Sequence, residues 1–227
     1  MIPQEVWGAC LSTVIPLIFM IVILKDKKSK WLLAYFAWGV IASMLAFAVN
    51  TMLAMELGSH GEHIRTVVAP IVEEVLKCLP VLLFLVKKIH PSIDKTIVYC
   101  AMSCGIGFSV LESIYYVNSI IIGSDAFVIV LLRTITTALM HGMTVAVLGA
   151  GLYLTRDKKH IFLPLIFGLC SLAATIHAIY NLLLPTKAII LVGVLPLMLY
   201  FAGMLFLYDD DTPKEDNDSG HRGECKA

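Results

Sequence analysis

The chain has 227 residues, of which 59% are hydrophobic and 15% are charged, and its formal net charge at pH 7 is zero. This apolar fraction is far above that of an ordinary soluble domain and indicates a polytopic membrane protein. The zero net charge provides no basic field for nucleic acid, and the sequence contains no glycine-rich phosphate loop.

Runs of about 18 or more apolar residues predict helices that cross a membrane. Seven candidate spans follow in chain order: 6–24, 31–57, 64–86, 96–122, 126–154, 161–184 and 188–207. We therefore expect an all-α fold, a transmembrane helical bundle of about seven or eight spans. The chain divides into a transmembrane domain, 1–207, and an acidic tail, 208–227, whose low hydrophobicity predicts disorder.

The basic residues of the connecting segments predict the orientation of the bundle. Lys and Arg concentrate in three alternate loops, 25–30, 87–95 and 155–160. Because cytoplasmic loops carry an excess of Lys and Arg, we expect the N-terminus outside and the tail in the cytoplasm. The predicted location is the cell membrane, crossed several times.

Ionisable and strongly polar residues inside the spans are few. The third span holds Glu73, Glu74 and Lys77, the fourth Glu112, the fifth Arg133 and His141, and the sixth His177 and Asn181. An ionised group at the bilayer centre costs roughly 2.5 to 3.5 kcal/mol, so these side chains should face the bundle interior and pair. The remaining spans are expected to form an outer layer around this polar centre.

The depth of these residues predicts that they meet. A rise of about 1.5 Å per residue places Glu73, Glu112 and His177 roughly 10 to 15 Å from the outer ends of their spans. The same rise places His141 at about 20 Å. We expect one polar centre near the midplane, displaced towards the outer face.

The same residues could also have purely structural roles, as buried ion pairs. Glu73 and Lys77 are four residues apart on a helix and could form a simple buried ion pair. Glu112 could be the partner of Arg133. Three carboxylates and two histidines at similar depth nevertheless favour a site with a poised acid or base.

Hydrolysis of a peptide bond within a membrane requires a water molecule, a base to activate it, donors for the oxyanion and an acid for the leaving amine. Carboxylates, imidazoles and a neighbouring amide supply these groups. The sequence has no Gly-x-Ser-x-Gly elbow, no Asp within a span and no HExxH pattern, which excludes the serine, aspartyl and zincin mechanisms.

Four motifs in order resemble one family. "EEVLK" (73–77), "FSVLE" (108–112), "MHGMT" (140–144) and "HAIYN" (177–181) resemble the PrsW group of intramembrane proteases, relatives of the type II CAAX prenyl endopeptidases in the CPBP-like superfamily. The resemblance covers residues 64–185. The PrsW pattern often has Asn after the glutamate of the second motif, whereas Ser113 stands here, a departure that concerns substrate fit.

The resemblance implies an intramembrane protease and assigns roles to six residues. The implied catalytic set is Glu73, Glu74, Glu112, His141, His177 and Asn181. Glu73 or Glu74 would be the base, and the second carboxylate with His141 would hold the water. His177 and Asn181 would stabilise the oxyanion, while the glutamate of the fourth span would orient the set.

The resemblance also implies the partners. The substrate would be a membrane-anchored protein within the lipid bilayer, with site-1 cleavage of an anti-sigma factor as the family's example, and no nucleic acid takes part. The water could be activated by a glutamate alone or by a divalent metal such as zinc, and we favour the metal-free form because no thiolate ligands or known metal spacing are present.

Two other classes of protein use similar residues. A proton-coupled transporter also needs intramembrane carboxylates and histidines, although the two halves of this sequence show no convincing inverted repeat. A non-catalytic scaffold could use the same fold to bind a membrane partner. A haem carrier with His141 and His177 as axial ligands is a third reading.

Overall fold

The computed structural model describes residues 29–57, 64–87, 95–120, 126–156, 158–184 and 189–209, together with four helical residues, Ile15, Pro16, Phe19 and Ile23. The elements are α1 (Ser29–Leu57), a π-helical turn (Ile64–Val68), α2 (Ala69–Lys87), α3 (Thr96–Ile120), α4 (Ala126–Leu154), a 3-10 turn (Lys159–Ile161), α5 (Phe162–Leu183) and α6 (Ile189–Asp209). These ranges contain no strand, which confirms the all-α prediction for them. Apart from the residues just named, the predicted span 6–24 lies outside the described residues, as does the predicted tail beyond 209.

Four helices in the described ranges are long and apolar enough to cross a membrane. Their apolar stretches are Ser29–Glu56, Thr96–Tyr115, Val130–Leu154 and Phe162–Leu183. The apolar stretch of α6 is shorter, at Leu191–Leu205. Helix α2, which carries four charged residues, is not among the four. The spans predicted at 31–57, 96–122, 126–154 and 161–184 therefore coincide with helices of spanning length.

Helices α3 and α4 form the centre of the bundle. Most of each helix is buried, whereas only a minority of α1 and α5 is buried. Small residues allow the close approach that membrane helices need. A Cβ atom on Gly105 would stand 1.9 Å from the carbonyl oxygen of His141, and one on Gly39 of α1 would stand 2.0 Å from the carbonyl oxygen of Cys104. Glycine is therefore required at both contacts, and the contact at Gly105 fixes α3 against the turn that carries His141.

Pro80 removes one backbone hydrogen bond from helix α2, and a side chain of α1 replaces it. Proline has no N–H, so the carbonyl of Leu76, four residues earlier, has no donor from its own helix. The indole nitrogen of Trp38 on α1 donates to that oxygen at 3.0 Å. The hydroxyl of Tyr35, one turn earlier on α1, donates to the carbonyl of Pro80 at 3.4 Å. These two bonds attach α1 to the helix that carries the paired glutamates.

Helix α5 turns one narrow face inwards. Its buried residues are Ile166, Ala173, Ala174, His177 and Tyr180. Their spacing of three, four and seven residues is that of one helical face. His177 and Tyr180 are fully buried although little of the helix is, so α5 presents a polar group to the centre and apolar side chains to the bilayer.

Candidate active site

The structure brings five of the six predicted site residues into one connected cluster. Glu73 and Glu74 stand on the second turn of α2, Glu112 in the C-terminal half of α3, His141 in the middle of α4 and His177 on α5. His141 and His177 have ring centroids 4.7 Å apart and perpendicular planes. The sixth, Asn181, lies one turn after His177 on α5 and is half-buried.

Glu74 is the most heavily bonded member of this cluster. Its Oε1 atom lies 2.6 Å from Nζ of Lys77, 2.9 Å from Nδ1 of His177 and 3.4 Å from the hydroxyl of Thr144. Glu74 and Lys77 are both essentially inaccessible to solvent. The ion pair that the sequence suggested between Glu73 and Lys77 is therefore wrong, because Lys77 pairs with Glu74, three residues away, which lies on the buried face of α2.

His141 is held on both sides of its ring. Nδ1 lies 2.7 Å from Nζ of Lys77, and Nε2 is hydrogen-bonded to Oε2 of Glu112. An ammonium has only donors, so Nδ1 accepts. The neutral ring then carries its proton on Nε2, which donates to Glu112. The ring of Phe108 supports both groups, with Nζ of Lys77 4.5 Å from its centroid and the imidazole centroid 5.0 Å away.

The proton of the His177 ring lies on the other nitrogen from that of His141. An ionised carboxylate only accepts, so Nδ1 of His177 carries the proton and donates it to Glu74. The Nε2 atom then presents a lone pair, and it lies 3.6 Å from Oε2 of Glu73. Within the described part of the chain, neither atom has a hydrogen-bond partner. Two buried acceptors therefore face each other, an arrangement that is satisfied by a proton, a donor molecule or a cation between them.

Exposure separates the two glutamates of α2. The Glu73 side chain is 14% exposed and the Glu74 side chain 1%. Glu112 is also 14% exposed. The cluster is therefore open to its surroundings at Glu73 and Glu112, while Glu74, Lys77 and both histidines lie behind them.

A divalent metal ion fits this donor set. Glu73, His141 and His177 can each offer one ligand atom, and these atoms lie within 4.8 Å of one another. Zinc ligands at about 2.0 to 2.2 Å in tetrahedral geometry lie roughly 3.3 to 3.6 Å apart, close to the separation of Glu73 Oε2 and His177 Nε2. His141 would join them by giving up its bond to Glu112 and carrying its proton on Nδ1, so Lys77 would have to release that nitrogen.

Several residues of the cluster carried no clear signal in the sequence. Asn50 of α1 donates from Nδ2 to Oε1 of Glu73 at 3.3 Å, although its span was expected to belong to the outer layer. Thr144 lies in the quoted "MHGMT" stretch, but a lone threonine has no distinctive pattern. The hydroxyl of Tyr180 is bonded to Thr136 at 2.8 Å and to Thr137 at 3.2 Å, which joins α5 to α4.

Comparison with known proteins agrees with the geometry. The family described as PrsW family intramembrane metalloprotease matches residues 27–208, which covers every helix from α1 to α5 and nearly all of α6. Searches of curated proteins and of solved structures give no match. Since the match extends over most of the sequence and includes all of the clustered side chains, the chain belongs to the PrsW family of intramembrane proteases.

Proposed function

We propose that this protein is an intramembrane endopeptidase that hydrolyses a peptide bond of a membrane-anchored protein, with Glu73 at the centre of the chemistry. The observation that carries the proposal is the pair of facing acceptors, Glu73 Oε2 and His177 Nε2, at 3.6 Å. A water molecule could donate to either atom there. A buried space that accepts protons from two sides is suited to activating water.

Glu73, rather than Glu74, is the base in this proposal. Lys77 and His177 both donate to the same oxygen of Glu74, and these donors stabilise its ionised form. Protonation of Glu74 would break its buried ion pair with Lys77. Glu73 has one amide donor, an open second oxygen and the greater exposure.

The remaining residues position the water and the substrate. Glu73 takes a proton from the attacking water, and the water oxygen bonds to the peptide carbonyl carbon. The proton then passes to the peptide nitrogen as the C–N bond breaks and the amine leaves. Neutral His177 donates its Nδ1–H to Glu74, so its Nε2 atom accepts a hydrogen bond from the water instead of stabilising the oxyanion. The oxyanion donors are the amide of Asn181 and the Nε2–H of His141, once the latter is released from Glu112.

A metal ion would be held by the same groups. Glu73 and His177 would ligate it, with His141 as the third ligand, and the ion would polarise the attacking water and the substrate carbonyl. The family's description as metalloproteases supports this form over the metal-free one expected from the sequence. Glu112 would then lose its hydrogen bond with His141 and accept one from another donor.

The proposed substrate is a single-span protein, and site-1 cleavage of an anti-sigma factor is the example suggested by the sequence motifs. We further propose placement in the CPBP-like superfamily and a seven-span arrangement in the cell membrane, with the N-terminus outside and the acidic tail in the cytoplasm. Reporter fusions after Lys28 and Lys158 should read cytoplasmic, and one at Gly61 should read external. An internal signal at Gly61 would contradict this orientation.

Cleavage in detergent tests the function directly. The purified protein is incubated with a set of single-span reporter proteins, each with a soluble head outside the span, and the products are separated by size. We expect wild type and the exposed-carboxylate control Glu56→Gln to cleave at least one reporter. Glu73→Gln should lower cleavage by at least about 10²-fold, the effect of losing a general base. Full cleavage by Glu73→Gln would overturn the assignment, and no cleavage by wild type would favour the scaffold or transporter class.

A further inference from the structure

Asn50 connects α1 to the proposed catalytic centre. Its Nδ2 atom lies 3.3 Å from Oε1 of Glu73, across 23 positions of sequence. Its Oδ1 atom is buried and has no hydrogen-bond partner in the described ranges. The amide group is therefore oriented with its donor towards the carboxylate.

The neighbouring residue shows the usual alternative for a polar side chain in a helix. The Thr51 hydroxyl donates to the carbonyl of Phe47, four residues earlier in its own helix, at 2.7 Å. This back-bonding satisfies the side chain locally and needs no partner on another helix. Asn50 instead donates to a different helix and leaves its own oxygen unsatisfied, which costs free energy in a buried position. We take this cost as a sign that the contact with Glu73 has a functional role.

The contact decides which oxygen of Glu73 faces His177. The terminal bond of a glutamate side chain rotates over a broad range of angles, so its two oxygens can exchange places. A donor on Oε1 opposes this rotation and leaves Oε2 directed at Nε2 of His177, 3.6 Å away. Glu74 has two close donors to hold its carboxylate, Lys77 and His177, whereas Asn50 is the donor that the described structure gives to Glu73.

We propose that Asn50 is a positioning residue that orients the Glu73 carboxylate towards His177 for catalysis. The inference rests on the proposed function of Glu73. It assigns α1 a part in the chemistry, although α1 carries none of the four family motifs.

Kinetics provide the first test, with the reporter that wild type cleaves. Asn50→Leu removes the donor at similar volume, and Asn50→Asp keeps the shape but replaces the donor with an acceptor. We expect kcat to fall by about tenfold to a hundredfold in both variants with KM unchanged, because a misplaced catalytic group loses rate without losing substrate binding. The matched control Thr51→Val removes the adjacent hydroxyl and should cleave at the wild-type rate. Wild-type kcat in either Asn50 variant would overturn the proposal.

Infrared spectroscopy provides a second test that needs no substrate. The carboxyl band of Glu73 is identified as the band lost in Glu73→Gln, and its frequency is then measured in Asn50→Leu and Thr51→Val. Loss of the amide donor should shift the band in Asn50→Leu only. An unshifted band would refute the contact even if the reporters are not cleaved, so failure of this inference is distinguishable from failure of the protease assignment. If Asn50→Leu does not fold, Asn50→Asp decides both measurements.

Discussion

The ammonium nitrogen of Lys77 lies between two site residues, 2.6 Å from Oε1 of Glu74 and 2.7 Å from Nδ1 of His141. All three side chains are buried. Lys77 thereby compensates the charge of a carboxylate that has no access to water and fixes the tautomer of the histidine beside it. The Lys77 ammonium thus acts on two groups of different helices, the Glu74 carboxylate of α2 and the His141 ring of α4.

Replacement of Lys77 by Met should therefore destabilise the fold more than an ordinary buried substitution. Removing one partner of a buried ion pair leaves an uncompensated charge and typically costs about 3 to 5 kcal/mol. Unfolding by a denaturing detergent, followed by circular dichroism, measures the loss. The double variant Lys77→Met/Glu74→Gln removes both charges and should recover at least half of it. Equal instability of the single and double variants would show that the ion pair is not the cause.

The hydrogen bond between Trp38 and the Leu76 carbonyl makes a second prediction about stability. Trp38→Phe leaves that carbonyl without a donor and should cost about 1 to 3 kcal/mol. In a Pro80→Ala background, residue 80 regains an N–H that can donate to Leu76, so the same substitution should cost less. A double-mutant cycle of unfolding free energies measures this coupling. Additive effects of the two substitutions would contradict the explanation given for the Trp38 contact.

The sequence predicted the helices and most of the cluster for the same physical reason. Charged side chains are expensive in a bilayer, so Glu73, Glu112 and His177 stand out against apolar neighbours. Asn50 did not stand out in the sequence, because an amide costs less free energy in a bilayer than a charge does and several uncharged polar residues share its span. The partner of Lys77 was also not predictable, since glutamates three and four residues away are both within reach on a helix. The Trp38 contact depends on the packing of two helices, which hydrophobic periodicity does not specify.

Removal of metal should abolish cleavage by this protein. If Glu73 and His177 ligate a divalent ion, prolonged dialysis against a strong chelator removes the group that polarises the water, and added Zn²⁺ restores activity. Elemental analysis of the purified protein should find about one zinc per chain in wild type and in the exposed-histidine control His160→Gln, since three protein ligands would hold the ion. His177→Gln should lose the metal. Cleavage that survives chelation, in a protein without bound metal, would support direct activation of water by Glu73.

The contact between α3 and α4 at Gly105 should be the least tolerant of a single added methyl group. A Cβ atom there would stand 1.9 Å from the carbonyl oxygen of His141, 2.4 Å from its carbonyl carbon and 2.8 Å from the Cα of Gly142. All three are backbone atoms, so no side-chain rotation relieves the clash and the two helices must move apart. We expect Gly105→Ala to lower the free energy of unfolding by about 1 to 3 kcal/mol or more. Because His141 lies at the point of contact, cleavage should fall as well.

Gly168 on α5 is the matched control for this substitution. A Cβ atom at Gly168 has no neighbouring heavy atom within 4 Å. Alanine has the higher helix propensity by about 1 kcal/mol, so Gly168→Ala should leave stability unchanged or raise it slightly, with cleavage at the wild-type level. Both variants add the same methyl group within a helix, and the difference between them therefore isolates the close approach of α3 to α4. Gly105→Ala with the stability and cleavage of Gly168→Ala would show that the two helices can separate without disturbing His141, and that the glycine is not what fixes α3 against the histidine.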